Sequence, residues 1–309
     1  MAKQDPLFVF NPRKKCIICR AKPQLITSCT SCESTGFQNV DLNNIWFPHP
    51  GFLVCGGPSI KNINYNRLSE RGVVSLGINN ISTKVPVTAW CYGDNPGRFH
   101  HGLFLDPKLL TFAPHNTLNH RIRAKLPDGS FRYLNIKIKH GPNTFGFLKR
   151  NEFSSKTFFK TKYAHWGKPK LATILYGIRL IKYLGCTKIY LLGVDHFTPD
   201  PQNPYAFEPS KKPRMSTYDW EKKYFAKIKK QIDSMGVKMY NCNPDSKCDL
   251  FEYVSFEDAI KDCKRSVPSE PFTVENYYDL KTFNQSKESK IILRHEQLKD
   301  IQNNKTNGQ

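Results

Sequence analysis

The chain has 309 residues, 39% of them hydrophobic, and a formal net charge of +21. That length accommodates one large domain or two modest ones with a full core. No apolar run approaches a membrane span, and the N-terminal MAKQDPLFVFNPRKK lacks the apolar stretch of a secretion signal, so a cytoplasmic protein is expected. An excess of cations this large repels itself in the compact state and points to a polyanionic partner, with DNA or RNA the simplest; a merely solubilising or lipid-facing surface is the plainer alternative.

Residues 1–43 read as a small module. KKCIICR and TSCTSCES separate the pair Cys16 and Cys19 from the pair Cys29 and Cys32 by nine residues, and two Cys-x-x-Cys knuckles make a tetrahedral zinc site. Four thiolates leave no position for water, so the expected zinc is structural. The module either contacts nucleic acid through Arg13, Lys14, Lys15, Arg20 and Lys22 or staples the N-terminus. The other six of the ten cysteines are scattered, as buried thiols are.

The expected core, residues 44–263, opens on FLVCGGPSIKNINYNRLSERGVVSLGINN, Phe52 to Asn80. Phe52–Val54 form a buried parallel strand, Gly56 and Gly57 turn the chain, Pro58 and Ser59 begin a helix, and Val73–Leu76 form the next strand, ending near Asn79 and Asn80. Such a turn suits a phosphate, although a tight turn that binds nothing has the same pattern. VPVTAWCY, residues 85–92, reads as a third strand that ends at Asp94, in either a ligand contact or an Asx turn.

Residues 114–167 read as a basic β-containing insertion or lid. Arg121 to Lys170 holds 13 Lys and Arg against Asp128 and Glu152, with Phe131, Tyr133, Phe158 and Trp166 among the aromatics. Tyr133–His140 alternates polar and apolar like an edge strand, with a hairpin turn at Asp128-Gly129 before it. Cations that neutralise phosphate, mixed with aromatics that stack on bases, suit nucleic acid.

Leu171, Ile174, Leu175, Ile178 and Ile181 then recur at helical spacing up to Gly185. KIYLLG is a buried strand with Asp195 and His196 at its carboxyl end. A helix from Ser216 or Thr217 to Met235, a strand Val237–Tyr240, the polar run Asn241–Ser246 and a short helix capped by Ser255 complete the core. Residues 264–309 form a polar tail expected to be disordered at its end. The Lys- and Asn-rich usage suits an AT-rich, phage-like source, which would place the protein in a host cytoplasm.

Taken in order, FLVCGGPSI with VVSLGINN, LYGIRLIKYLGCTKIYLLGVDHF, and PYAFE with GVKMYNCNPDS resemble the sialyltransferase-like proteins of glycosyltransferase family 42. They equally resemble the related motility-associated glycosyltransferases and 6-hydroxymethylpterin diphosphokinase-like proteins. The resemblance implies a Rossmann-like α/β fold, a doubly wound and mostly parallel sheet, that binds a nucleotide-sugar donor without a catalytic metal. It implies that Gly56, Gly57, Pro58, Ser59, Asn79 and Asn80 hold the nucleotide, that Asp195 lies near the donor, and that Asn243 and Ser246 touch it. Tyr205 matches a tyrosine that stabilises the phosphate leaving group, and His196 or Phe197 stands where its companion would be. The family's catalytic histidine precedes its last long helix; here that loop reads KKPRMSTYDW and has none. Asp94 and His196 are then the candidate bases, with His165 a further option. No D-x-D stands at a strand end, in keeping with metal-independent transfer. Three functions follow: a glycosyltransferase acting on nucleic acid, a modified DNA base above all; a diphosphate transfer to a pterin-like molecule; or a nucleic-acid-binding protein with a dead site. A glycan acceptor remains open.

Overall fold

The computed structural model describes residues 9–15, 37–39, 42–126, 128–147, 173–195, 205–207, 225–226, 233 and 236–265. The strands are β1 Val9–Lys15, β2 Phe37–Asn39, β3 Gly51–Val54, β4 Val74–Ile78, β5 Ala89–Cys91, β6 Leu110–Pro114, β7 Arg121–Lys125, β8 Phe131–Lys137, β9 Thr144–Phe147, β10 Lys188–Leu192, β11 Lys238–Asn241 and β12 Glu252–Tyr253. The α-helices among the described residues are α1 Gly102–Leu105, α2 Thr173–Tyr183 and α3 Phe256–Arg265. None is long and apolar enough to cross a membrane.

Ten strands form one sheet among the described residues, in the order β12-β11-β10-β3-β4-β5-β6-β9-β1-β2. From β12 to β9 all neighbours run parallel; β1 pairs antiparallel with β9 and β2 with β1. The chain builds outward from β3 to β9, then returns to lay β10 on the other side of β3. The strand order therefore reverses between β3 and β10, as the doubly wound α/β reading expects.

Both faces of the sheet are covered at its centre, which is why β3, GFLV, is apolar and buried throughout. Leu53, Leu76, Ile78 and Leu191 face α2, whose Ile174, Leu175, Ile178 and Ile181 share their core cluster. Alternate residues Phe52, Val54, Tyr190 and Leu192 face α3 through Phe256, Ala259 and Ile260. The Ser255 hydroxyl accepts from the Asp258 N–H at 3.1 Å and donates to its carboxylate at 2.6 Å, which starts α3. Asp262 ties that helix to β10 by accepting from Lys188 at 2.9 Å and from the Tyr190 hydroxyl at 2.6 Å. Among the described residues the cysteines Cys55, Cys91, Cys186, Cys242, Cys248 and Cys263 are free thiols, all of them buried.

Several expectations are corrected. The segment after Gly57 is not an α-helix but two 3-10 turns, Pro58–Asn62 and Tyr65–Ser69. Asn62, Ile63 and Asn64 are poor helix formers, so the i to i+4 ladder is not carried beyond the first turn. Residues 1–43 do not stand wholly apart, because β1 and β2 extend the sheet edge. Residues 114–167 are not wholly an insertion, since β9 lies within them and is a parallel partner of β6. The expected strand over 85–92 shrinks to Ala89–Cys91.

The alternating segment does form a hairpin. β7 and β8 pair antiparallel as a separate two-stranded sheet. Its turn is closed by Leu126 N–H to Ser130 O at 2.8 Å and Ser130 N–H to Asp128 Oδ1 at 2.8 Å. Ile122, Ala124, Leu134 and Ile136 pack inward against Trp90, Tyr92, Phe99 and Phe104.

Candidate nucleotide site at the strand reversal

Register places the candidate residues on one edge. Leu192 faces Val54, Val54 faces Gly77, and Leu191 faces Asn241. The residues that follow, 55–59, 79–80, 193–195 and 242–246, therefore leave the sheet together at its carboxyl end. Asp94 follows β5 on the same edge.

Asp195 organises this edge and is only 6% exposed. Its carboxylate accepts from Ser59 N–H at 2.8 Å, Ser59 Oγ at 2.5 Å and Asn243 Nδ2 at 2.9 Å. Its backbone carbonyl accepts from Lys247 N–H at 2.8 Å. A buried carboxylate needs such donors, and these come from two other strand ends, those of β3 and β11.

Gly57 sits where no side chain fits. A Cβ there would lie 2.5 Å from the Gly193 carbonyl oxygen and 2.6 Å from Asp195 Oδ2. The close approach lets Gly57 N–H donate to Gly193 O at 3.0 Å. Cys55 N–H likewise donates to Leu192 O at 2.8 Å, and Ile60 N–H to Gly57 O at 3.3 Å.

The turn is thus less open than its glycines suggest. Pro58 has no N–H, and the amides of Cys55, Gly57, Ser59 and Ile60 are all bonded within the protein. Among the described residues, only the Gly56 amide of this turn lacks a partner. The turn expected to suit a phosphate keeps a single free amide donor, because Asp195 and the end of β10 occupy most of the others. Ser59 consequently serves Asp195 rather than capping a helix.

Tyr205 covers the turn. Its Cδ1 lies 3.5 Å from the place a Cβ on Gly56 would take, and Ala206 N–H donates to Gly56 O at 2.9 Å. Phe207 anchors the same segment edge-on against Tyr65, with ring centroids 5.9 Å apart.

Asn243 and Ser246 face the end of β10. Asn243 Oδ1 accepts from Asp245 N–H at 3.1 Å, while Ser246 Oγ donates to Val194 O at 2.7 Å and accepts from Cys248 N–H at 3.1 Å. Asn241 fastens the same loop by donating to Val194 O at 3.1 Å and accepting from Asn243 N–H at 3.0 Å. Asn241 opens the polar run noted in the sequence but was not among the expected contacts, although a polar residue ending a buried strand was a usable signal.

Asn79 and Asn80 end β4 differently. Asn79 has a positive φ of 55°, and its carbonyl accepts from Trp90 Nε1 at 2.7 Å. Asn80 Nδ2 donates to Arg98 O at 3.2 Å. The side-chain oxygens of both are buried and without a partner among the described residues. Two unmet acceptors at a strand end suit a ligand that brings hydroxyl or amine donors.

Asp94 pairs with Arg98 at 3.1 Å and keeps part of its carboxylate in solvent. The Asx turn at this corner is made instead by Asn95, whose Oδ1 accepts from Gly97 N–H at 2.9 Å. His115, at the carboxyl end of β6, was not anticipated; burial holds its imidazole below the ordinary histidine value. A histidine directly after LTFAP is the signal that could have found it. His196, His165 and the quartet Cys16, Cys19, Cys29 and Cys32 lie outside the described residues.

No family model and no curated protein matches the chain. Similar solved structures include the sialyltransferase CstII in complex with a trisaccharide acceptor and CMP, at 18% identity and TM-score 0.40 over 67% of this chain and 86% of that one. A CstII variant in complex with CMP matches at 17% identity and TM-score 0.41, over 67% and 86% of the two chains. CstII from Campylobacter jejuni in complex with cytidine-5'-monophosphate as a substrate analogue matches at 16% identity and TM-score 0.36, over 67% and 85%.

Proposed function

We propose that the protein is a glycosyltransferase that takes a nucleotide sugar at the β3–β10 reversal and passes the sugar to nucleic acid, with a DNA base as the leading acceptor. The observation that carries this reading is the convergence of Gly56, Asp195, Tyr205, Asn79 and Asn80 on one carboxyl edge, where open α/β sheets bind ligands.

In this reading the unmet oxygens of Asn79 and Asn80 accept from ribose hydroxyls or a base amine. The Gly56 amide and the Tyr205 hydroxyl donate to the departing phosphate. The anomeric C–O bond breaks with its electron pair moving to that phosphate, and an acceptor oxygen or nitrogen forms the new bond. Asp94 takes the acceptor proton, with His196 as the other candidate base. Asp195 is a positioning residue, since its oxygens are already engaged by Ser59 and Asn243. The chemistry needs no metal, in keeping with the lack of a D-x-D at a strand end.

Support for the nucleic-acid acceptor comes from charge: a net +21 overall, and 13 cations against two carboxylates between Arg121 and Lys170. A base within a duplex would have to be flipped out to reach the site.

The Cys16, Cys19, Cys29 and Cys32 set suits a structural zinc by donor chemistry. Lys15 faces Phe37 in the β1–β2 pair, so the chain bearing the quartet leaves and rejoins the sheet at neighbouring points. One zinc per chain by metal analysis, lost in Cys16→Ser with Cys29→Ser, is the expected result.

The test is a thermal-shift panel of CMP, UDP, GDP and ATP conjugates, followed by product mass after incubation with DNA. A conjugate that raises the melting temperature and adds a sugar mass to DNA supports the reading; no stabilisation by any of them removes it. One feature favours a binding-only protein, namely that the Ser59 and Gly57 amides are already occupied. Nucleic-acid binding without any nucleotide response would favour that alternative.

A further inference from the structure

The β7–β8 hairpin has two unlike faces. The inner face is buried in the core cluster around Trp90. On the outer face Tyr133 is 64% exposed and Phe131 51% exposed, which makes them two of the four large hydrophobic residues so exposed among the described residues. The two-residue period sends them outward together with Arg121, Arg123, Lys125 and Lys137.

The cross-strand pairing is informative. Arg123 faces Tyr133 and Lys125 faces Phe131, so a cation opposes an aromatic in both pairs. The Arg123 guanidinium also lies over the Phe131 ring at 3.6 Å, which orients that ring. Arg121 faces Lys137. Like charges directly opposite one another destabilise a hairpin. No carboxylate stands on either strand to offset them, and Asp128, at the turn, accepts from the Ser130 amide. A face that concentrates repelling cations beside solvent-exposed rings is poorly suited to folding alone and well suited to a polyanion with flat apolar groups.

The face also leads toward the candidate site. Arg123 Cδ lies 3.5 Å from where a Cβ on Gly97 would sit, in the turn after β5 that carries Asp94 and Asn95. Ile138 N–H to His120 O and Lys139 N–H to Leu118 O, each at 3.0 Å, hold the open end of the hairpin.

We propose that this outer face docks a single-stranded nucleic acid, with unpaired bases stacked on Tyr133 and Phe131 and phosphates held by Arg121, Arg123, Lys125 and Lys137. A duplex is disfavoured because its base faces are already stacked, whereas a single strand offers them. The strand passes Arg123 toward the carboxyl edge, where its target base reaches the nucleotide site. The proposal rests on the nucleic-acid acceptor reading above and adds where the strand lies and in what form.

The experiment measures anisotropy of labelled oligo-dT, oligo-rU and a mixed-sequence duplex across a salt series, using the full chain. Tyr133→Ala with Phe131→Ala is expected to weaken oligo-dT or oligo-rU binding by about tenfold or more. Arg121→Gln with Lys137→Gln is expected to flatten the logarithmic salt slope by about 0.7 for each phosphate no longer neutralised. Relief of the like-charge pair should leave that second variant at least as heat-stable as the parent, which separates a binding defect from a folding defect. Binding of dT or rU through the hairpin supports the proposal whichever sugar is preferred. Unchanged single-strand affinity in both variants overturns the hairpin assignment while leaving a nucleic-acid acceptor in place. Duplex affinity equal to single-strand affinity and indifferent to Tyr133→Ala overturns the stacking. A parent chain that binds CMP conjugates but no oligonucleotide overturns the proposal and the acceptor reading, and leaves the transferase reading standing.

Discussion

Asp195 accepts from both the amide and the hydroxyl of Ser59, at 2.8 and 2.5 Å, across 136 residues of sequence. The pair joins the turn after β3 to the end of β10, the two elements between which the sheet reverses its order. Asn243 adds a third strand end to the same carboxylate at 2.9 Å. Asp195→Asn places an amide NH2, itself a donor, where Ser59 or Asn243 now donates. It is expected to cost on the order of 2 kcal/mol, and nucleotide affinity should fall with it. Denaturant midpoints with and without CMP measure both effects. An unchanged midpoint would remove Asp195 from its structural role.

Gly57→Ala and Gly56→Ala should separate cleanly. A methyl on Gly57 meets the Gly193 carbonyl and the Asp195 carboxylate, and neither can retreat without breaking the junction. A loss of about 1–3 kcal/mol is expected. A methyl on Gly56 makes ordinary contact with Tyr205 at 3.5 Å, so that variant should fold normally and show its defect in nucleotide binding. Equal stability for the two variants would contradict the described geometry.

Tyr205→Phe keeps the ring over Gly56 and removes only the hydroxyl. On the proposed function, in which that hydroxyl donates to the leaving phosphate, kcat should fall by about 10²-fold while KM for the nucleotide sugar and the melting temperature hold. A rise in KM with kcat intact would instead assign the tyrosine to ground-state binding.

Glu70 offers a pH test of how the 3-10 turn at Tyr65–Ser69 is held. Hydrogen bonds from Arg67 and then Lys264 hold its carboxyl down at about 2, and Arg67 also pairs with Glu257 on α3. A carboxyl depressed on folding contributes stability above its unfolded value and loses that contribution as pH falls toward the folded one. Glu70→Gln should therefore melt earlier than the parent near neutral pH, with the gap closing as the pH is lowered toward 2. High salt should also narrow the gap, because the pairs are partly exposed. A gap that persists at low pH would show that packing, not charge, sets the difference.

Much of the architecture was legible because its signals are local. Phe52–Val54, Val74–Leu76 and the KIYLL strand are short apolar runs bounded by turn residues, and α2 follows from the spacing of Ile174, Ile178 and Ile181. The hairpin followed from alternation around Asp128-Gly129. Each needs only neighbours in sequence to be read.

What the tertiary structure alone decided is which strand ends meet and which groups are left free when they do. No local pattern tells that β10 lies beside β3, or that β9 and β1 complete the same sheet. The same limit hid the occupation of the Gly57 and Ser59 amides, since their partners, Gly193 and Asp195, are more than a hundred residues away along the chain. Hydrogen-bond satisfaction in a buried junction is a property of three-dimensional pairing. The residue types at the candidate site could therefore be named from sequence, but the roles of Asp195 and Ser59 as clamp rather than cradle could not.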